Sequence, residues 1–129
     1  MTDSCVMEKA NKTAQKCETR PYRGYRPAVD IVEHDDAFIL RADVPGATAK
    51  DLCIEFEKGV LSLRAAVARR EPEGVKPLAR EYGVGDFTRE FRIGEGIDMA
   101  AVTAECANGV LTLRLPKAEA AKPRKIEVK

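Results

Sequence analysis

The stretch that decides the fold is Ala104–Pro116, which reads AECANGVLTLRLP. Apolar and polar residues alternate on both sides of Asn108-Gly109, so each half has one apolar face, as in a half-buried strand. Asn and Gly tolerate the positive φ of a tight hairpin turn. Pro116 ends the second strand because proline cannot donate to a ladder. This hairpin cannot bury its own apolar row, so the rest of the chain must supply a second layer.

Length and charge predict one domain with two tails. The chain has 129 residues, enough for a single domain. Its net charge of +1 gives no general attraction for nucleic acid or an anionic membrane. The charge is uneven: residues 1–26 carry +3, residues 27–116 carry −5 and residues 117–129 carry +3. We expect a domain over 27–116, a short, polar, flexible N-terminal arm over 1–26 and a C-terminal extension over 117–129.

The N-terminus and the cysteines indicate a cellular compartment. No apolar run is long enough to span a membrane, and MTDSCVMEKANK contains no apolar signal-peptide core. We therefore expect a cytoplasmic protein. The four cysteines show no CxxC spacing, which argues against a zinc site or a redox dithiol. Cys106 is expected in the core. Cys53 is expected to be an unreactive thiol, because neighbouring carboxylates raise the pKa of a thiol.

Strand patterns fill most of the chain between residues 27 and 116. Gly59–Arg64 (GVLSLR) closely repeats Gly109–Arg114 (GVLTLR), which indicates two similar hairpins. About seven or eight short strands with regular turn signals predict an all-β antiparallel sandwich. Before residue 27, a thin apolar stripe at helical spacing indicates either a frayed helix or disorder.

Two features of the strand region are unusual. Residues 69–86 form a long, charged connection, within which Leu78–Tyr82 has the pattern of a short strand; connections of this length are often functional. Arg89 lies in phase with Phe87 and Phe91, on the face expected to point inward. An inward arginine needs a carboxylate partner or an interface.

Signals for catalysis are weak, and those for association are stronger. His34 is the only histidine and lies in a polar turn, and no phosphate, dinucleotide or metal motif occurs. We expect neither an enzyme nor a cofactor. Near the end of the chain, Ile126 and Val128 flank Glu127, so they share one side of an extended strand. Such a tripeptide can add along a sheet edge and place both side chains in a groove.

Four motifs stand out by their order and spacing along the chain. They are Ala104-x-x-x-Asn108-Gly109-Val110-Leu111 with Leu113 and Pro116, Asp43-Val44-Pro45-Gly46 followed by Lys50-Asp51-Leu52, Phe87-x-Arg89-x-Phe91-x-Ile93, and Ile126-x-Val128. Together they resemble the small heat-shock proteins, which carry an α-crystallin domain. The resemblance covers about Pro27–Pro116 plus the tail tripeptide, and the order and spacing of the motifs make it specific.

The resemblance implies an immunoglobulin-like β-sandwich that acts as an ATP-independent holdase for partly unfolded clients. It implies a homodimer that can form higher oligomers, with no nucleic-acid or membrane partner. In non-animal, bacterial-type members the long loop carries a strand exchanged with a partner subunit. The implied dimer-interface residues are Leu78, Ala79, Arg80, Glu81, Tyr82, Arg89, Val29 and Ile31. The implied inter-dimer anchor is Ile126 with Val128, and its groove is Leu52, Ile54, Phe56, Val102, Ala104 and Cys106.

The sequence departs from the family pattern in two places. Gly94 stands where the family usually has proline, which loosens that turn without threatening the fold. The N-terminal arm is shorter and more polar than the aromatic-rich arms of the family. Because hydrophobic contact with clients scales with apolar area, we expect weaker holdase activity and smaller oligomers.

An alternative function of a different class is a co-chaperone adaptor or protein-interaction module related to the CS domain. It would share the sandwich fold. Such modules lack the long loop and the Ile-x-Val tail, and both features are present here. The sequence therefore favours the holdase over the adaptor.

Overall fold

The computed structural model describes residues 5–6, 24–68 and 70–129. Within these residues the chain forms eight strands and three short 3-10 helices. The strands are β1 (Cys5–Val6), β2 (Val29–Glu33), β3 (Ala37–Asp43), β4 (Leu52–Glu57), β5 (Val60–Ala65), β6 (Phe87–Arg92), β7 (Thr103–Ala107) and β8 (Val110–Pro116). The 3-10 helices are Ala49–Asp51, Met99–Ala101 and Glu119–Ala121.

The strands form two antiparallel sheets. The five-stranded sheet has the order β1-β7-β8-β3-β2, and the three-stranded sheet has the order β4-β5-β6. Seven of the strands lie between residues 27 and 116. The predicted all-β antiparallel sandwich is therefore confirmed.

The hairpin within Ala104–Pro116 folds as predicted. Asn108 and Gly109 adopt positive φ of 52° and 73°, and Ala107 pairs with Val110 across the turn. A Cβ on Gly109 would lie 3.1 Å from the Cα of Pro45, so the turn also requires glycine for its close approach to the neighbouring loop. Lys58 and Gly59 repeat the geometry with φ of 51° and 76°, which explains the internal sequence repeat.

The core lies between the inner faces of the two sheets. Its largest fully buried side chains come from the central strands and from the loop after β3: Leu40, Leu61, Leu63, Leu111, Leu113, Leu115 and Val44. Because the two sheets contribute facing rows of leucine, each hairpin buries the apolar face of the other. Burial of this kind is the main stabilising term in a small domain.

The N-terminal arm contributes a strand that the sequence did not predict. Cys5 lies opposite Cys106 and Val6 lies opposite Glu105, so β1 extends the five-stranded sheet beyond β7. Two residues are too few to produce a readable alternation, and the apolar residues around them fall at helical spacing. The predictions of a frayed helix, of disorder and of flexibility fall mostly on residues 1–4 and 7–23, which lie outside the described residues. In the described part of the arm that precedes the domain, Tyr25 forms a parallel bridge with Phe87.

Asp86 joins the two ends of the long connection to the core. It is only 3% exposed and is the one buried charged residue among those described. Its Oδ1 accepts a hydrogen bond of 3.0 Å from the Val67 backbone N–H, and its Oδ2 lies 3.5 Å from Nη2 of Arg64. The Asp86 carbonyl accepts from the N–H of Tyr25 at 2.8 Å. One carboxylate thus fixes the exit from β5 and the entry to β6.

We predict that Asp86→Ala lowers the free energy of unfolding by about 2 kcal/mol or more, because a buried N–H and a mostly buried guanidinium both lose their acceptor. Urea denaturation at fixed protein concentration measures the change. The matched control is Asp35→Ala at an exposed turn position, expected to cost less than about 0.5 kcal/mol. Equal losses in the two variants would contradict the role given to Asp86.

Candidate assembly surfaces

The sheets end in strands with free outer edges. β2 closes one side of the five-stranded sheet, and β4 closes one side of the three-stranded sheet. No strand of the described ranges pairs with either outer edge. The edge of β6 is partly covered by Tyr25, whose carbonyl accepts from the Thr88 N–H at 2.9 Å. A free edge offers unpaired N–H and C=O groups in a row, which is a template for another chain.

The β2 edge is apolar as well as open. Ile31 is 50% exposed and Val32 is 52% exposed, whereas Val29 is half-buried against the core. Ile31 and Val29 lie two residues apart on β2, so they share one face of the strand. The partial exposure of Ile31 follows from its place on a terminal strand, where one side of the residue has no neighbour. Ile31 borders a pocket of about 360 Å³, which is also lined by Phe38, Leu40, Glu90, Phe91, Arg92, Ile93 and Leu115.

The connection between β5 and β6 exposes apolar side chains. Leu78 is fully exposed, and Val75 and Tyr82 are mostly exposed. The short strand predicted at Leu78–Tyr82 is not formed in the single chain. Arg80 and Glu71 form an ion pair within the connection. A strand needs a neighbour for its backbone groups, and the described residues provide none at this position.

Arg89 lies on the inward side of β6, as predicted. It pairs across the ladder with the buried Leu63, and its guanidinium lies 4.9 Å from the centre of the Phe91 ring. Its Nη1 donates to the carbonyl of Pro27 at 3.0 Å. The sequence predicted a carboxylate partner or an interface for Arg89. Within the described chain the partner is a backbone carbonyl two residues before β2, so Arg89 positions the entry of that strand.

The six predicted groove residues all face the core from two edges. Leu52, Ile54 and Phe56 of β4 pair with the buried Ala65, Leu63 and Leu61 and are themselves half-buried. On the other sheet, Val102 and Ala104 are half-buried and Cys106 is buried. Burial, followed by the charge of Asp51, raises the pKa of the Cys106 thiol. The burial of Cys106 confirms the prediction that it is a core residue.

Cys53 differs from its prediction. It was expected to be an unreactive thiol, and in the structure it is disulfide-bonded, whereas Cys106 is a free cysteine. The prediction was wrong because it rested on local spacing. A disulfide depends on which cysteines the fold brings together, and the interval between them in sequence does not report this.

The tail tripeptide is open to solvent. Ile126 is 85% exposed and Val128 is 95% exposed. The residues belong to no strand of the described chain. Transfer of these two β-branched side chains from water to an apolar site is favourable.

Side chains that could bind a metal ion do not cluster among the described residues. These residues contain no cluster of three or more His, Cys, Asp or Glu side chains able to hold a metal ion. His34 is exposed in the β2–β3 turn, where its backbone N–H donates to the Ala37 carbonyl at 2.8 Å. Among these same residues, no helix has the length and apolar character needed to cross a membrane.

Three positioning features were not predicted. Asp86, Tyr25 and Lys117 all stabilise the approaches to terminal strands. Lys117 forms an ion pair of 2.6 Å with Glu33 at the end of β2, and its Nζ lies 4.8 Å from the centre of the Phe38 ring. Each contact joins residues far apart in sequence, and no local pattern could have indicated it.

The fold and these surfaces define a class of protein: an antiparallel β-sandwich that presents open edges, an apolar loop and an apolar tail. Comparison with known proteins gives the family. Residues 30–129 match the model of the Hsp20/alpha crystallin family. The chain belongs to this family, the small heat-shock proteins, as the sequence motifs predicted.

Individual relatives agree with this assignment. The chain is 30% identical to the 17.7 kDa class II heat shock protein of Arabidopsis thaliana, over 93% of this chain and 84% of that protein. It is 39% identical to 18 kDa antigen 1 of Mycobacterium intracellulare, over 80% of this chain and 70% of that protein. Among solved structures, a small heat-shock protein from Xylella fastidiosa superposes with a TM-score of 0.61 and 33% identity, covering 81% of this chain and 97% of that chain.

Proposed function

We propose that this protein is an ATP-independent holdase that binds partly unfolded proteins and limits their aggregation under stress. The observation that carries the proposal is the apolar surface left open on the β2 edge, the loop and the tail. Apolar side chains left exposed on a folded chain are available for association with other proteins. Membership of the small heat-shock protein family supports the same function.

The β2 edge and the long loop form the dimer interface in this proposal. Residues Leu78–Tyr82 of one copy add as a strand to β2 of the second copy. Support comes from the open outer edge of β2, the exposure of Ile31 and the full exposure of Leu78. Strand addition pairs backbone groups on both partners and covers apolar side chains at once. Arg89 contributes by holding the chain at the entry to β2.

The tail links dimers in this proposal. Ile126 and Val128 of one copy enter the groove between β4 and the Val102–Cys106 segment of another copy. Five of the six groove side chains are half-buried against the core and the sixth, Cys106, is buried, whereas the tail side chains are exposed. Charge favours the same contact, because residues 117–129 carry +3 and the two walls expose Glu55, Glu57 and Glu105.

We predict that the protein suppresses light scattering from heated citrate synthase at equimolar or higher ratios, with or without ATP. The physical reason is coverage of apolar client surface by apolar chaperone surface, which requires no nucleotide. The same mass of serum albumin controls for non-specific protection. Scattering that matches the albumin control at every ratio would remove the holdase proposal.

We predict that Ile126→Ala combined with Val128→Ala reduces oligomers to dimers of about 28 kDa, twice the chain mass of 14.2 kDa. The double variant removes both side chains that enter the groove and leaves β2 and the loop intact. Analytical ultracentrifugation measures the mass. Glu127→Ala is the matched control, because Glu127 points to the opposite side of the extended tail and its loss leaves the mass unchanged.

The opposite results would contradict the tail's role. A double variant with the mass of the unmodified protein would show that the tail does not link dimers. A loss of mass in Glu127→Ala as large as that in the double variant would show that the contact does not depend on the apolar side chains.

A further inference from the structure

The wall of the groove that β7 provides is already paired within the chain. β1 lies antiparallel along its outer edge, with Cys5 opposite Cys106 and Val6 opposite Glu105. Both partners on β7 belong to the segment in which the tail of another copy is proposed to dock. The N-terminal strand and the foreign tail therefore meet at one edge.

The pairing of β1 is short enough to be displaced. Two residue pairs cover part of β7, which runs from Thr103 to Ala107. A backbone hydrogen bond contributes only a modest net stabilisation, and short isolated strand pairs are marginal in water. A tail that adds along the same edge recovers these hydrogen bonds and also buries two β-branched side chains.

The N-terminal arm and the tail carry the same net charge, so both are attracted to an acidic edge. Residues 1–26 and residues 117–129 each carry +3, whereas the domain between them carries −5. Glu105 on β7 and Glu55 and Glu57 on β4 are all exposed. Either basic segment is therefore attracted to the acidic rim, and the backbone groups of β7 serve only one of them at a time.

We propose that the β7 edge is a shared docking strip, occupied by the chain's own N-terminal strand until the Ile126–Val128 tail of a second copy displaces it. This inference rests on the proposed tail contact. The N-terminal strand covers the edge in the isolated subunit and opposes assembly through the tail. The occupant that competes with it is a second copy of this chain.

A peptide-binding experiment on the full-length protein tests the inference. The probe is a fluorescein-labelled peptide of residues 123–129, PRKIEVK, and fluorescence anisotropy gives its dissociation constant. All proteins carry Ile126→Ala and Val128→Ala, so that their own tails do not compete, and all samples contain reductant. The test variant adds Cys5→Pro with Val6→Pro, because proline cannot donate to a ladder. The matched control adds Ala10→Pro with Asn11→Pro.

We expect the test variant to bind the peptide at least about fivefold more tightly than its parent, which corresponds to about 1 kcal/mol of relieved competition. The control variant is expected to bind as the parent does. Hydrogen exchange provides a second measurement that does not depend on the tail: without peptide, the backbone amide of Cys106, which points toward β1, exchanges faster in the test variant.

The two proposals fail in different ways. Equal affinity for the peptide in parent and test variant overturns the shared strip and leaves tail docking in place. Absence of peptide binding in every variant overturns tail docking and the shared strip together. Unchanged exchange at Cys106 also overturns the inference, because it shows that β1 does not cover this edge.

Discussion

The constraint on which this structure depends is the hydrogen-bonding requirement of terminal β-strands. A sandwich of two open sheets buries its leucines well, but it leaves backbone N–H and C=O groups along its outer strands. Here the β6 edge receives Tyr25 and the β7 edge receives β1, whereas β2 and β4 remain open within the described chain. The proposed function depends on how these edges are covered.

Apolar exposure and open backbone coincide in this molecule. Ile31 and Val32 lie on the open β2 strand, and Leu78 and Tyr82 lie in the segment proposed to cover it. On β4 and β7, the side chains that pack against the core are half-buried, and in the tail Ile126 and Val128 are exposed. At the β2 edge, unpaired backbone groups and exposed apolar side chains lie together, which favours strand addition as the mode of association.

Much of the fold could be predicted from the sequence, because its determinants are local. The alternation of Leu111, Leu113 and Leu115 and the positive-φ turn at Asn108-Gly109 are both visible in a short stretch. The unpredicted features depend on contacts between distant residues. Asp86 meets Val67, β1 meets β7, and the disulfide of Cys53 depends on which cysteines the fold brings together. Arg89 was predicted on the correct face, but its carbonyl partner at Pro27 has no sequence signature. Among the predicted interface residues Ile31, Leu78 and Tyr82 are exposed, and their contacts with other copies remain predictions.

The central claim is that the open edges are covered by other copies of the same chain. Sedimentation velocity of the unmodified protein across a dilution series tests it most directly. We expect the smallest abundant species to be a dimer of about 28 kDa, twice the 14.2 kDa chain, with heavier species favoured at higher concentration. A single 14.2 kDa species at every concentration would contradict it.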